Sequence, residues 1–243
     1  MNLNTIKNIS SELFQALREQ ETVLPLTDRY PEIEINDAYQ ISRNFLSLRE
    51  SDGEKIIGKK IGVTSPVVQE MLGVNQPDFG FLTNVMEVKN KANFSISKSL
   101  IQPRAEAEIA FVLKDDLHGP GITKEDVILA TEKILPCFEI VDSRIESWKI
   151  KIQDTIADNA SCGIFVLGED SCAPDKFSMD ELEVIVYKNG EFLSTGKGSA
   201  VQGHPAEAVA WLANTLGEYD ICLLYTSDAA DDSLRVDLGG RRI

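Results

Sequence analysis

The run PRAEAEIAFVL, residues 103–113, constrains this chain most. Its apolar, β-compatible content reads as a strand, and alternate strand residues share a face. Glu106 and Glu108 therefore point one way, while Ala105, Ala107, Ile109 and Phe111 point the other. Two carboxylates on one face of an apolar strand repel each other and resist burial. A hard divalent cation relieves both costs, because such ions take oxygen ligands. An edge strand with two solvated glutamates accounts for the spacing equally well.

A third carboxylate tilts the balance. LPCFEIVDSRI places Glu139 inside a second apolar, strand-like run, with Cys137, Glu139 and Val141 on one face. A glutamate flanked by Phe138 and Ile140 needs a partner. Three glutamates from two strands form an incomplete octahedral shell with positions left for water and substrate. The competing reading is an ion pair of Glu139 with Arg104 or Arg144.

Other motifs carry less. GEKIIGKK, residues 53–60, comes close to a phosphate-binding loop, but Lys60 stands where Ser or Thr would hold magnesium, and strand rather than helix follows. GKGSAVQG lacks dinucleotide-fingerprint spacing, and two histidines, His118 and His204, give little support for a nucleophile triad. Lys59 and Lys60 are adjacent in a strand, so one points in and the other out. An inward lysine near a metal is expected to have a lowered pKa and to move protons; two solvated lysines at an edge are the plainer alternative.

The formal charge of −15 over 243 residues argues against nucleic acid or an anionic membrane as the main partner. No apolar run is long enough to span a bilayer, and the N-terminus has no continuous signal-peptide core, so a cytoplasmic protein is expected. Cys137, Cys162, Cys172 and Cys222 form no C-x-x-C pair and are expected to be reduced thiols, the first two buried.

Apolar spacing predicts helices over residues 4–20 and 36–50, the second capped by Asn36 or Asp37, which together form an N-terminal layer over residues 1–52. After Gly53 short β-rich runs follow, with a hairpin at Asn189-Gly190. Helices are predicted over 124–135, opened by Thr123 and Asp126, and over 205–216. Strands and helices do not alternate strictly, which favours α+β. Residues 53–221 then form a β-rich catalytic domain. The tail from Cys222, CLLYTSDAADDSLRVDLGGRRI, shows no strand alternation on this reading, and its first ten residues resemble a translated transposase adapter used in DNA library preparation. Residues 222–243 are therefore expected to be a non-native tail outside the fold.

The segments GKKIGVTS, LGVNQPDFGFL, LIQPRAEAEIAFVL, ILPCFEIVDSRIESWKIKIQDTIADNAS and GHPAEAVAWLANTLGEY together resemble the 2-hydroxypenta-2,4-dienoate hydratases of aromatic meta-cleavage pathways, in the fumarylacetoacetate-hydrolase superfamily. The resemblance implies a mixed sheet or β-roll core with an N-terminal helical layer, here with the family's C-terminal strands missing. It implies a metal on Glu106, Glu108 and Glu139, either Mg²⁺ or Mn²⁺, with Lys60 as general acid/base and Asp78 and Ser161 lining the substrate pocket. It further implies a homo-oligomer that hydrates 2-hydroxypenta-2,4-dienoate to 4-hydroxy-2-oxopentanoate, unless truncation leaves this chain inactive. Decarboxylation of a 2-oxo-dioate, as in the related oxalocrotonate decarboxylases, and a non-catalytic scaffold role are the alternatives.

Overall fold

The computed structural model describes residues 1–219, 221 and 223, and the backbone of 233–237. Helix α1 (Leu3–Glu19) turns Ile6, Ile9 and Leu13 inward at helical spacing, and the side chain of Asn2 caps it. A short α2 (Leu26–Arg29) leads to α3 (Ile35–Ser51), which packs along α1. Neither Asn36 nor Asp37 is the cap of α3. Glu34 is, and Asp37 reaches back from the third helical position to the Glu34 backbone N–H at 3.1 Å.

The strands follow as β1 (Ile56–Gly62), β2 (Asp78–Thr83), β3 (Pro103–Leu113), β4 (Thr131–Asp142), β5 (Ile164–Leu167), β6 (Glu183–Lys188), β7 (Glu191–Lys197) and β8 (Ser233–Asp237). Between them lie helices α4 (Pro66–Leu72), α5 (Ile96–Ser99), α6 (Lys124–Ala130), α7 (Ile152–Ala157) and α8 (Pro205–Glu218). One mixed sheet runs β2-β1-β8-β3-β4-β5, and β6-β7 stands apart as a hairpin whose turn residues, Asn189 and Gly190, both have positive φ. Helices and strands are mixed without regular alternation, as expected for α+β.

Two further expectations differ from the structure. The helix predicted over 124–135 stops at Ala130, because Thr131 is already extended and the chain enters β4, pairing with β3 along its length. The tail was expected to stay outside the sheet, yet Ser233–Asp237 lies between β1, to which it is parallel, and β3, to which it is antiparallel. The reason is local: Leu234 and Val236 alternate with Ser233, Arg235 and Asp237, and the facing edges of β1 and β3 have ladder groups to satisfy. Leu223, also in the predicted tail, is buried in the core and exchanges both backbone hydrogen bonds with Leu117 at 3.0 Å; the remaining tail residues lie outside the described ones.

The N-terminal helices and the strands share one core. Ile9, Leu13, Ile41 and Phe45 pack in the same cluster as Ile61, Phe111, Leu212 and Leu216. Cys137 and Cys162 are buried free thiols, as predicted. Among the described residues no helix is long and apolar enough to cross a membrane.

Candidate metal centre and its cleft

Strands β3 and β4 pair antiparallel in a register that sets Glu106 directly opposite Glu139 and Glu108 opposite Cys137. The two runs singled out in the sequence are thus neighbours, and their acidic faces coincide. Glu106, Glu108 and Glu139 are all buried, and each offers a carboxylate oxygen within 4.8 Å of the others.

Lys60 joins them from β1, with Nζ 3.3 Å from Glu139 Oε2 and donating to the Ala160 carbonyl at 3.2 Å. Three strand-to-strand steps separate β1 from β4. In a flat sheet that is about 14 Å, so the sheet curls to bring these side chains across its concave face. Arg104 and Arg144 are committed elsewhere. The Arg104 guanidinium sits 4.2 Å over the Trp148 ring, and Arg144, fully buried, binds Asp158 through Nε and the carbonyls of Asp142, Cys162 and Asp158.

The expected lowering of the Lys60 pKa is reversed. Burial is the largest single influence and favours the neutral amine, but Glu139, Cys162, Asp78 and Glu106 together outweigh it, and the ammonium is held well above the ordinary lysine range. Burial pushes the Glu139 carboxyl up; Lys60 opposes that and Glu106 reinforces it. Three carboxylates and one ammonium leave this group with a formal charge of −2 when all are ionised. A buried excess of that sign and size fits a divalent cation, and an all-oxygen donor set fits a hard one. Lys59 is buried too, its Nζ 6.0 Å from the Phe81 ring centroid, so neither lysine is the solvated edge residue of the plainer reading.

A cleft opens beside the carboxylates, lined by Lys60, Gly62, Val63, Asp78, Glu106, Val141, Trp148, Thr155, Ala160 and Ser161. Asp78 opens β2, and the Thr155 hydroxyl donates to its Oδ2 at 2.8 Å. Asp78 Oδ1 and Ser161 Oγ are buried with no hydrogen-bond partner among the described residues. The structure therefore brings Lys60, Asp78, Ser161 and Glu106 to one cleft, with Glu108 and Glu139 adjoining through the carboxylate cluster.

Several lining residues were not foreseen. Gly62 is one: a Cβ there would collide with Asp78 Oδ1 and crowd Lys60 Nζ. A glycine inside a strand is the signal for such close approach. Others come from strained backbone, which sequence patterns do not display. Val63, Ser147, Trp148, Asn159, Ala160 and Ser161 all have φ between 50° and 58°. That conformation costs a non-glycine residue about 1–2 kcal/mol, and it concentrates around this cleft, as strain does at functional sites. The Asn159 side chain holds the turn in place by bonding both the N–H and the carbonyl of Phe81, at 2.8 and 2.9 Å.

Known proteins share this arrangement of sequence and fold. The chain is 59% identical over 217 residues to a 2-hydroxyhexa-2,4-dienoate hydratase of Comamonas testosteroni, covering 89% of this chain and 82% of the relative. It is 56% identical over 221 residues to a 2-hydroxypent-2,4-dienoate hydratase of Pseudomonas putida, covering 91% of this chain and 100% of the relative. The chain belongs to the 2-keto-4-pentenoate hydratase family. These relatives are named hydratases, and a hydratase is a hydro-lyase. No protein-family model matches the chain. Among solved structures, 4-oxalocrotonate decarboxylase from Pseudomonas putida G7, complexed with magnesium and adipate, superposes with a TM-score of 0.92 at 31% identity, over 100% of this chain and 91% of that one. A yeast fumarylacetoacetate hydrolase family protein shares the fold at a TM-score of 0.50 and 12% identity, covering 80% of this chain and 84% of that one. The hydratase family therefore sits on the fumarylacetoacetate-hydrolase fold.

Proposed function

We propose that this chain is a divalent-metal hydratase that converts 2-hydroxypenta-2,4-dienoate to 4-hydroxy-2-oxopentanoate. The observation that carries the reading is the meeting of Glu106, Glu108 and Glu139 within 4.8 Å, with Lys60 against Glu139. The hydratase names of relatives at 56–59% identity support it, as does the magnesium in the 4-oxalocrotonate decarboxylase structure. Glu106, Glu108 and Glu139 would hold Mg²⁺ or Mn²⁺. Such an ion supplies Lewis-acid stabilisation of negative charge on the substrate's 2-oxygen.

The chain's own groups handle protons and position. The Lys60 ammonium gives a proton to C5 of the dienol, and the proton lost from the 2-hydroxyl restores the ammonium, yielding a conjugated 2-oxo-3-enoate. Water then adds at C4, and the proton it sheds is balanced by one gained at C3. Asp78, with Oδ2 tied to Thr155, presents Oδ1 as an acceptor that orients this water, and Ser161 Oγ offers a further contact. The strained 159–161 turn delivers both the Ala160 carbonyl and Ser161 to the cleft, which fixes the ammonium without loose loop atoms.

Loss of dienoate absorbance with Mg²⁺ or Mn²⁺ present, and none with chelator, is the expected result, with 4-hydroxy-2-oxopentanoate as the product. A 2-oxo-dioate decarboxylase is the second reading, favoured by the 0.92 TM-score to such an enzyme. Release of CO₂ from a 2-oxo-dioate, without hydration of the dienoate, would establish it instead. A chain that binds metal but turns over neither substrate would be a scaffold subunit. Size-exclusion chromatography with light scattering tests the homo-oligomer expected on the same reading.

A further inference from the structure

The cleft is lined by two chemically different kinds of side chain. Lys60, Asp78, Glu106 and Ser161 give its lining polar groups; Val141, which the register sets opposite Arg104, and Trp148, which packs against Arg104, give it apolar ones. Trp148 is fixed from outside the cleft. Its indole Nε1 donates to the Gln102 carbonyl at 2.9 Å, and the guanidinium of Arg104, which also lines a separate groove, packs 4.2 Å from its ring centroid. Its backbone, with that of Ser147, is held in the left-handed region, so the ring's direction is built into the turn.

Strand geometry places this wall. Arg104 precedes Glu106 by two residues on β3, so both side chains leave the same face, one pleat repeat or about 7 Å apart. Across the ladder, Val141 stands opposite Arg104 as Glu139 stands opposite Glu106. Trp148 and Val141 therefore cover the sheet one repeat beyond the carboxylates. A dienoate held by its carboxylate end through a cation on Glu106 and Glu139 would reach that repeat with its far carbon if it lies along β3.

We infer that Trp148 is the specificity-determining residue for the far end of the substrate. It offers apolar contact to a hydrogen or small alkyl group at C5, and it screens Arg104 from the cleft. A second carboxylate at that end meets indole and valine instead of the guanidinium, and its desolvation goes uncompensated. The inference rests on the hydratase reading above.

The test compares kcat/KM for 2-hydroxypenta-2,4-dienoate, 2-hydroxyhexa-2,4-dienoate and 2-hydroxyhexa-2,4-dienedioate in the native chain, Trp148→Phe, Trp148→Ala and the double variant Trp148→Ala/Arg104→Met. Trp148→Ala should raise the hexa-to-penta ratio about tenfold or more, the scale of one methyl group in an apolar pocket, and Trp148→Phe should shift it less in the same direction. Trp148→Ala should also gain activity on the dienedioate, and the added Arg104→Met should remove that gain while keeping the hexadienoate gain. A purely structural Trp148 would lower all three values together, and unchanged ratios in both single variants overturn the inference. If Trp148→Ala does not fold, the ratio in Trp148→Phe decides alone. A native chain that turns over none of the three sinks the hydratase reading and this inference with it, whereas an active native chain with unchanged variant ratios sinks this inference only.

Discussion

Glu139 and Lys60 touch, at 3.3 Å, although β8 and β3 lie between the strands that carry them. The contact depends on curvature of the sheet, and it puts the candidate proton carrier directly against a candidate metal ligand. A cation on the three glutamates would compete with Lys60 for Glu139 and reduce the field that holds the ammonium high. Metal binding and the readiness of Lys60 to release a proton would in this way be coupled through one carboxylate.

Glu106→Gln or Glu139→Gln should abolish Mg²⁺-dependent turnover while the far-ultraviolet circular dichroism stays native. Calorimetric unfolding gives an independent readout. A bound ligand at a hundred times its Kd stabilises a fold by about 2.7 kcal/mol, so Mg²⁺ should raise the Tm of the native chain and leave that of either variant unmoved. Near-normal activity of a variant at limiting metal would show that these carboxylates do not hold the ion.

Lys60→Ala should lower kcat far more than Lys59→Ala, since a positioned acid/base contributes about 10²–10⁴-fold. Both lysines are buried, so loss of stability alone does not separate them, and rates must be compared at equal folded fraction. Equal effects on the rate would remove Lys60 from the proton-transfer role.

Gly62→Ala should reduce turnover strongly and leave the fold standing. The added methyl group would press on Asp78 Oδ1 and Lys60 Nζ, which belong to side chains able to shift, and not on rigid backbone. Steady-state kinetics beside a thermal melt checks this; an active Gly62→Ala enzyme would mean that the spacing of Asp78 and Lys60 is not critical.

His204 should make stability fall as pH drops below its ordinary titration range. Its Nδ1 accepts the Ala206 N–H at 3.1 Å as the N-cap of α8, which requires the neutral ring. Burial is the first cause that holds its pKa below 6.5, with Lys124 adding to it against Asp180 and Glu207. A depressed folded pKa contributes stability above the unfolded value and loses it as pH falls through the folded one. The cap as a whole is worth about 1 kcal/mol. Denaturant titrations from pH 7.5 to 5 should show this decline in the native chain and a shallower one in His204→Ser; identical slopes would discount the cap.

The acidic faces of β3 and β4 were legible because period-two alternation leaves Glu106, Glu108 and Glu139 on strand-like segments with too little local charge to balance them. Their meeting was not, since register is fixed by backbone pairing between runs that sequence treats separately. The strand β2 escaped because DFGFLT follows Gln76-Pro77 and buries both faces, so no alternation marks it. The strained turns at Val63, Ser147-Trp148 and 159–161 were invisible, because tertiary packing holds them against their own preferences. In Ser233–Asp237 the alternation was present in five residues and was masked by the texture of the tail around it.

The ladder that sets Glu106 opposite Glu139 joins strands close in sequence, whereas the bond from Lys60 to the Ala160 carbonyl spans 100 residues. Loop-closure entropy grows with such separation, and distant pairings form slowly. The β3–β4 ladder should therefore gain protection in pulse-labelled hydrogen exchange before the Ala160 turn docks against Lys60. The three proposed ligands would then meet on a nascent chain before the proposed proton carrier reaches them.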